Sequence, residues 1–457
     1  MSPDTDAMVQ EAPRVFMEDM GCQMNRLDSE IVLGRLKEAG FQRVESPAEA
    51  DVVLYYTCSV REHAEDKVYG RLGALKRLKN ERPGMVIGIM GCMAQNHKEE
   101  IFKRAPHVDL VAGTSRFEDV VELLDEVRHG QRVLAVDHKE LAFSRDVSVR
   151  PRRHQAFVTV MRGCNKFCSF CIVPFTQGRE RSRPEADVVD EVKALVDDGV
   201  VEVTLLGQRI DTYGLDLDAS STLARLLERI HEEVPDLLRL GYITCHPNHM
   251  SGELARVVRD CPRISRYLHL PVQSGSDRVL RAMNRGYTVD EYRRALDLMR
   301  ETVDDLSVAT DWIVGFPGET EEDFQSSLAL MREISYQNSF VFKYSPRRGT
   351  RAHAAGDPIP REEKARRNQV LLKAQEEISL ERNRRRIGTD VEVIVEGTSK
   401  RDASKDTGRT WHNNIVCFEA GRVPPGHQAR VRIRDCTPLT LFGDVVSGAE
   451  DPARNQR

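Results

Sequence analysis

The first third of the chain alternates short apolar runs with longer stretches in which apolar residues recur every three or four positions. This alternation predicts strands and helices in turn, and therefore a doubly wound parallel sheet. The predicted domain covers residues 14–135. Its predicted strands are Val15–Met20, Val52–Tyr56, Met85–Met90 and Val108–Val111, and its predicted helices are Asp28–Ala39, Glu62–Lys79, Lys98–Arg104 and Glu118–Val127.

A second alternating region occupies residues 150–386 and contains six apolar runs separated by helical patterns. Six strand–helix repeats predict a partial (β/α)6 barrel rather than a closed eight-stranded one, with the active face formed by the loops that follow the strands. The predicted strands are Ala156–Met161, Val201–Leu206, Arg239–Ile243, Tyr267–Pro271, Ser307–Val314 and Ser339–Tyr344.

The last region, residues 387–450, shows the period-two alternation of strands, most clearly in Val391–Gly397. Further β-like runs are Asn414–Phe418 and Ala429–Arg434. The region is too short for another enzyme domain and predicts a small β-barrel, an architecture that serves many functions. The predicted fold class is therefore α/β, with a parallel-sheet domain, a partial barrel and a small β-barrel in that order.

Composition narrows the class of protein. Of 457 residues, 40% are hydrophobic and 30% charged, as in soluble globular proteins. No run approaches the roughly 18 apolar residues of a membrane span, and residues 1–14 lack the apolar core of a signal peptide. We expect a cytoplasmic protein without membrane contact, in which ten cysteines serve metal chemistry rather than disulfides.

Charge gives a local rather than a global signal. The net charge of −5 provides no overall signature of nucleic-acid binding, but a local patch is enough for that function. Residues 347–386 contain 12 Lys and Arg against 6 Asp and Glu. This stretch is either an ordinary solvated, salt-bridged helix or a surface that follows phosphates.

Cys164, Cys168 and Cys171 form the pattern C-x3-C-x2-C. Thiolates are the usual ligands of iron–sulfur clusters, and three ligands leave one iron of a four-iron cluster open to a small molecule. The alternatives are a zinc site or three unrelated thiols. Zinc sites usually close with four ligands, commonly from paired C-x2-C units, and a second C-x2-C is absent from the sequence.

Cys22, Cys58 and Cys92 each fall just after a predicted strand, one strand–helix unit apart. The carboxyl ends of parallel strands lie along one edge of the sheet, where ligands bind. The fold itself therefore predicts that these three thiols converge. The alternative is three separate buried thiols.

The motif C-x3-C-x2-C, with Phe170 before the last Cys, resembles the radical S-adenosylmethionine (SAM) superfamily. Its methylthiotransferase family is resembled more closely. The resemblance lies in the flanking residues 161–163 and 172–175 and in the short motifs around Cys22, Cys58 and Cys92. The resemblance implies two [4Fe-4S] clusters, each held by three Cys, one cleaving SAM and the other delivering sulfur. It places SAM-binding residues in the loops after the barrel strands, at Phe170, Gln208, Gln273 and Gly315, and it assigns no catalytic side chain.

Residues 408–414 resemble the TRAM domain, an RNA-binding barrel found in many tRNA-modifying enzymes. The resemblance implies methylthiolation of carbon 2 of isopentenyl-adenosine next to the anticodon of tRNA, with SAM as methyl donor and as radical source. No side chain is basic enough to remove a proton from that carbon at neutral pH, which fits a radical reaction. The implied partners of a monomeric enzyme are the tRNA anticodon arm and an external electron donor.

Three other functions stay open. One relative in the same family methylthiolates an aspartate of a ribosomal protein, a second modifies threonylcarbamoyl-adenosine in tRNA, and a non-catalytic, metal-stabilised protein could bind RNA. The chain also departs from the family pattern near the expected active face. Arg209 and Asp211 replace two amides, Cys245 replaces Ser, Arg348 replaces Pro and Gln177 replaces Arg. These departures affect the expected substrate contacts and leave the reaction class unchanged.

Overall fold

The computed structural model describes residues 12–59, 62–139, 149–218 and 220–447. By their internal contacts these residues form two compact units. The first contains the described residues up to Arg150 together with Phe175–Gln177, and the second contains Pro151–Pro174 and the described residues from Gly178 onward.

The first unit is built on a six-stranded parallel sheet with the order β2-β1-β3-β4-β5-β6. Its strands are β1 (Arg14–Met20), β2 (Gln42–Arg43), β3 (Val52–Thr57), β4 (Val86–Gly91), β5 (Leu110–Ala112) and β6 (Val133–Ala135). Its helices are α1 (Gln23–Glu38), α2 (Glu62–Glu81), α3 (Cys92–His97), α4 (Glu100–Arg104) and α5 (Val120–Arg128).

The predicted parallel sheet is confirmed. β3 and β4 are buried along their whole length, as expected for central strands covered on both faces. The prediction omitted β2 and β6, which are too short to show a period. It also began α1 five residues too late, because the polar residues directly after Cys22 resemble a loop although they form the first turns of the helix.

The second unit contains the predicted partial barrel, as two three-stranded parallel sheets with the orders β11-β10-β7 and β12-β13-β14. A parallel bridge between Leu240 and Ile264 joins the two sheets. The strands are β7 (Gln155–Thr159), β8 (Met161–Arg162), β9 (Arg181–Ser182), β10 (Glu202–Leu206), β11 (Arg239–Tyr242), β12 (Tyr267–His269), β13 (Ser307–Val314) and β14 (Asn338–Lys343).

No helix in the described part of the chain is long and apolar enough to cross a membrane. The described residues from Pro151 onward also contain nine α-helices. They are α6 (Val173–Thr176), α7 (Glu185–Asp197), α8 (Leu223–Glu233), α9 (Gly252–Asp260), α10 (Asp277–Ala282), α11 (Val289–Thr302), α12 (Glu321–Ile334), α13 (Arg351–Ala354) and α14 (Arg361–Arg384).

The predicted first barrel strand is divided in the structure. β7 ends at Thr159, and the chain then pairs antiparallel with β9 through β8. The division occurs at Val160, whose N–H donates to Leu206 while its carbonyl accepts from Arg183 N–H. The apolar run continues through the division, so its periodicity could not reveal it.

The C-terminal region forms a closed barrel with the order β15-β16-β17-β19-β18, where sequence analysis predicted three strands. The strands are β15 (Asp390–Thr398), β16 (Lys405–Arg409), β17 (Ile415–Glu419), β18 (Gln428–Cys436) and β19 (Thr440–Ser447). Phe418, Val431 and Leu441 are among the residues that fill its core.

This small barrel packs against the amino ends of the large barrel's strands. Arg239, the first residue of β11, is 3% exposed and forms a 2.6 Å ion pair with Glu202 at the start of β10. Its Nη1 also donates to the carbonyls of Arg409 and Thr410, in the β16–β17 connection. The carbonyl of Trp411 accepts from Ser265 and Arg266. The connection 409–414 therefore closes the amino end of the large barrel.

Candidate functional site

The loop that carries Cys164, Cys168 and Cys171 follows β8, at the carboxyl end of the first barrel strands. Backbone hydrogen bonds fold it tightly: Cys171 N–H donates to Cys168 O at 3.0 Å, and Lys166 N–H donates to Cys164 Sγ at 3.5 Å. Phe167 between them adopts a left-handed conformation with φ of 50°. The three thiols are close enough to influence one another electrostatically, as the predicted site requires.

The end of α10 fixes this loop. Ser169 Oγ donates to Ala282 O at 2.9 Å, and Asn284 Nδ2 donates to Phe167 O at 2.9 Å. Arg285 Nη1 donates to Cys168 Sγ at 3.3 Å. Sequence analysis did not find Arg285, because a single arginine after a helix gives no signal of its contacts.

Burial raises the pKa of the Cys164 thiol, and it raises the pKa of Cys171 to about 12. Three adjacent thiolates, one buried and two half-buried, would repel one another in the absence of a cation. Arg285, itself only 7% exposed, supplies one positive charge beside the three thiolates. The further positive charge that they need is of the kind that bound iron supplies to its thiolate ligands. The donor set therefore fits a three-Cys iron–sulfur cluster.

The structure also brings Cys22, Cys58 and Cys92 together within the first unit. They follow β1, β3 and β4 at the same edge of the sheet. A hydrogen bond with Cys58 lowers the pKa of Cys22 to about 7, against the effect of burial. Burial raises the pKa of Cys92 to about 12, and the nearby Cys22 adds to this shift.

Gln177 also lies in the first unit, although the sequence places it six residues after Cys171. Its Nε2 donates to Cys92 Sγ at 3.5 Å. In the same short segment, the carbonyl of Thr176 accepts from Thr114 Oγ1. A residue at which the chain departs from the family pattern thus contacts the second set of thiols.

The remaining cysteines are free thiols outside these two sets: Cys245, Cys261, Cys417 and Cys436. Among the described residues, no group of three His, Cys, Asp or Glu side chains is arranged to hold a single metal ion.

The four predicted SAM-binding residues all lie in the second unit, at or after strand ends. Phe170 packs against the buried group that includes Phe316 and Tyr344. Gln273 is held with φ of 74°, and its buried Oε1 has no hydrogen-bond partner in the described part of the chain. Gln208 follows β10. These placements are compatible with the prediction, and the SAM contacts themselves stay a prediction.

Gly315 has a structural reason to be glycine. Its φ is 74°, and an added Cβ would lie 2.4 Å from Cγ of Lys364. Its N–H donates to Glu319 Oε2 at 2.6 Å, and this carboxylate is paired with the buried Arg367. The turn after β13 is thus fixed by a buried ion pair.

The residues that depart from the family pattern after β10 form a polar cluster. Arg209 Nη1 lies 3.4 Å from Glu180 Oε1, and Asp211 Oδ1 accepts from His246 N–H at 2.8 Å. Burial raises the pKa of Asp211 to about 7. Burial and nearby arginines lower the pKa of His246, whose Nε2 is buried without a hydrogen-bond partner in the described chain.

Part of the basic stretch 347–386 packs against the barrel, so the stretch is more than an exposed helix, and its binding of phosphates stays a prediction. The buried face of α14 carries polar residues that bond to the barrel: Lys364 donates to Tyr344 O at 3.0 Å, and Gln375 donates to Tyr336 O at 2.9 Å. Arg382 donates to Ser335 O at 3.0 Å, and Arg386 forms a bidentate pair with Asp305. Much of its positive charge is therefore used inside the protein.

Three family models match the chain in order. They are described as "Uncharacterized protein family UPF0004" over residues 14–113, "Radical SAM superfamily" over residues 158–331 and "TRAM domain" over residues 384–446. The matches agree with the predicted order of regions. The domain boundaries 14–135, 150–386 and 387–450 stay a prediction.

Curated relatives match nearly the whole chain. A protein of Rhodopirellula baltica named tRNA-2-methylthio-N(6)-dimethylallyladenosine synthase is 42% identical over 96% of each chain. A protein of the same name from Moorella thermoacetica is 42% identical, over 94% of this chain and 97% of its own. One from Parabacteroides distasonis is 41% identical over 95% of each chain.

Solved structures share the fold at low identity. The radical S-adenosylmethionine methyltransferase TsrM from Kitasatospora setae, with tryptophan and a SAM analogue bound, superposes with a TM-score of 0.53. The two chains are 15% identical, and the match covers 72% of this chain and 73% of the other. This similarity supports the fold assignment alone.

Proposed function

This chain belongs to the family of tRNA-2-methylthio-N(6)-dimethylallyladenosine synthases, and on that premise we propose that it methylthiolates carbon 2 of N6-dimethylallyl (isopentenyl) adenosine in tRNA. The observation that carries the proposal is the presence of two separate sets of three cysteines, one directly after the parallel strands β1, β3 and β4 and the other in the loop after β8. The tRNA named for these relatives favours this reaction over methylthiolation of a ribosomal aspartate.

We propose that Cys164, Cys168 and Cys171 hold one [4Fe-4S] cluster and that Cys22, Cys58 and Cys92 hold another. When bound, the first cluster supplies the electron that cleaves SAM to a 5′-deoxyadenosyl radical, and the second presents the sulfur that is transferred. Arg285 orients Cys168 and offsets its negative charge. Gln177 likewise orients Cys92, through the hydrogen bond that its Nε2 donates to Cys92 Sγ.

The loops of the barrel would bind SAM beside the first set. Phe170, within the cysteine loop, forms part of an apolar wall. Gln273 presents an amide oxygen in a buried position. Gln208 and Gly315 complete the proposed set. Two SAM molecules are used, one as methyl donor and one as radical source, and an external donor provides electrons to a cytoplasmic, monomeric enzyme.

The small barrel would hold the anticodon arm. Its strand β18 carries Arg430, Arg432 and Arg434 at alternate positions, and these side chains are 58%, 40% and 64% exposed. Alternate residues of a strand face the same side, so the three charges form one row. Of the arginines at the end of α14, Arg384 and Arg385 are exposed and can add to this surface.

The first experiment replaces one ligand of the first set. Cys168→Ala should lower iron by about four atoms per chain, the content of one cubane, and abolish 5′-deoxyadenosine formation by reduced protein. Cys261→Ala is the matched control, because Cys261 is a buried free thiol outside both sets. Wild-type iron and wild-type 5′-deoxyadenosine in Cys168→Ala would overturn the assignment.

The second experiment removes Cys22, Cys58 and Cys92 together. This triple Ala variant should keep about four irons and still cleave SAM, since the first set is intact. Mass analysis of tRNA nucleosides should find no methylthio product with the variant and find it with the wild type. A full yield of product from the triple variant would refute the role in sulfur delivery.

A further inference from the structure

Two phenylalanines on β14 are unusually exposed. Phe340 is 44% exposed and Phe342 is 37% exposed, although both belong to a strand of the barrel. Ser339 on the same strand points the other way, because its hydroxyl donates to Gln375 of α14 at 2.5 Å. Since successive side chains alternate between the faces of a strand, Phe340 and Phe342 lie on the inner face, away from the helix.

Their neighbours across the sheet combine polar and apolar groups. Asp311 is the register partner of Phe340, and Ile313 is the register partner of Phe342. His269 of β12 lies 3.0 Å from Asp311 Oδ1, and its ring meets Phe340 edge-to-face at 6.1 Å. The side chains of His269 and Asp311 keep 14% and 21% of their surface accessible. A polar pair thus lies beside an exposed apolar surface.

This surface is continuous with the cysteine loop. Ile313 packs against the same buried group as Phe170, the residue directly before Cys171. The apolar wall therefore runs from the SAM-cleaving loop along β13 to Phe342 and Phe340. A substrate that places one group against Phe340 and Phe342 would therefore reach the cysteine loop with its other end.

We propose that this inner-face wall, formed by Phe340, Phe342, His269 and Asp311, is the specificity site for the prenylated adenine. Phe340 and Phe342 bind the branched hydrocarbon on N6, which has no polar atoms and is stabilised by leaving water. His269 and Asp311 offer a hydrogen-bond donor and acceptor to the polar edge of the purine. The inference rests on the proposed function and identifies which part of the substrate the barrel reads.

The test compares two anticodon-arm hairpins that differ only in the N6-dimethylallyl group. Binding is measured with cluster-loaded protein and SAM, without reductant, so that affinity is independent of turnover. Wild-type protein should prefer the prenylated hairpin by about tenfold or more, the discrimination typical of a hydrocarbon group in an apolar pocket. Phe340→Ala/Phe342→Ala should reduce the ratio of affinities to about one, mainly by weakening the prenylated complex.

Leu439→Ala is the matched control, since Leu439 is a 64% exposed apolar residue on the small barrel. It should leave the ratio unchanged. Iron content and the thermal midpoint should be the same in all three proteins, which shows that the double variant is folded and loaded with clusters. The inference is overturned if the double variant keeps the wild-type ratio, or if it loses affinity for both hairpins equally. If wild-type protein forms no methylthio product from prenylated tRNA, it is the proposed function that fails.

Discussion

The ionised carboxylate of Asp211 is unfavourable in the folded protein because it is buried, although the fold holds this side chain in a defined position. One carboxylate oxygen accepts from the backbone N–H of His246, whereas Oδ2 is buried with no hydrogen-bond partner in the part of the chain that the structure describes. Burial raises its pKa from 3.8 to about 7, although Arg209 acts in the opposite direction. The folded protein therefore keeps a proton that the unfolded chain loses.

We predict that Asp211→Asn stabilises the protein in a pH-dependent manner. Between about pH 4 and 7 the folded state binds the extra proton, so wild-type stability falls as pH rises through this window. Asn carries no such proton. The free energy of unfolding of Asp211→Asn, measured relative to wild type by denaturant titration, should be larger at pH 8 than at pH 5, by on the order of a few kcal/mol.

Asp190→Asn makes the same chemical change at an exposed position and is the control. An Asp211→Asn curve parallel to the wild-type curve would mean that the carboxylate is already ionised at pH 5. The position of Cys22, Cys58 and Cys92 at one edge of the sheet could be predicted, since strand ends fix where a thiol lies, and their role as cluster ligands stays a prediction. Arg285 could not be predicted, because its contact with Cys168 exists only once α10 is packed.

At the scale of elements, α14 binds the barrel through a polar stripe rather than an apolar one. Lys364, Arg367, Gln375 and Asn383 recur along one face of this helix, and each is buried. Such a face is invisible to hydrophobic periodicity and makes the sequence read as a solvated helix. The strands and helices that were predicted lie within a few residues of their observed bounds, whereas β2, β6, β16 and β19 were not predicted.

We predict that Arg367→Met destabilises the protein by about 3–5 kcal/mol, because it leaves the Glu319 carboxylate buried and uncompensated. Arg366→Met is the neighbouring control. Its ion pairs with Glu321 and Glu363 are exposed and should contribute about 0–1 kcal/mol. Denaturant midpoints should separate the two variants, and the double variant Glu319→Gln/Arg367→Met should recover much of the loss. Equal midpoints for Arg366→Met and Arg367→Met would contradict the polar-stripe explanation.

At the scale of the whole molecule, the row of arginines on β18 should dominate the salt dependence of tRNA binding. Replacing Arg430, Arg432 and Arg434 by Gln should lower the slope of log affinity against log salt by up to about 0.7–0.9 for each phosphate that the protein no longer neutralises. Arg384→Gln/Arg385→Gln should lower it less, since this variant removes two positive charges rather than three. If the helix pair has the larger effect, RNA is held mainly by α14.

The order of the three regions was predictable because each carries its own motif and period. Their packing was not, since the hydrogen bonds of Arg239 with residues 409 and 410 join parts of the chain about 170 positions apart. This packing changes how the small barrel should be tested. Deleting residues 387–457 would remove the carbonyl partners of a buried arginine, so surface substitutions are the better probe of RNA binding.

The closure of the large barrel by residues 409–414 also sets a minimum size for the substrate. The small barrel lies at the amino ends of the strands, whereas Cys164, Cys168 and Cys171 follow their carboxyl ends. β7 and β10 have five residues each and span about 16 Å at about 3.3 Å per residue. An RNA that contacts both ends of the large barrel must be at least that long. A nucleoside or a few nucleotides can bind at the carboxyl end of the barrel without contacting the small barrel at its amino end. Under the proposed function, a folded arm and its fragments would therefore differ in whether they can be held at both ends of the barrel.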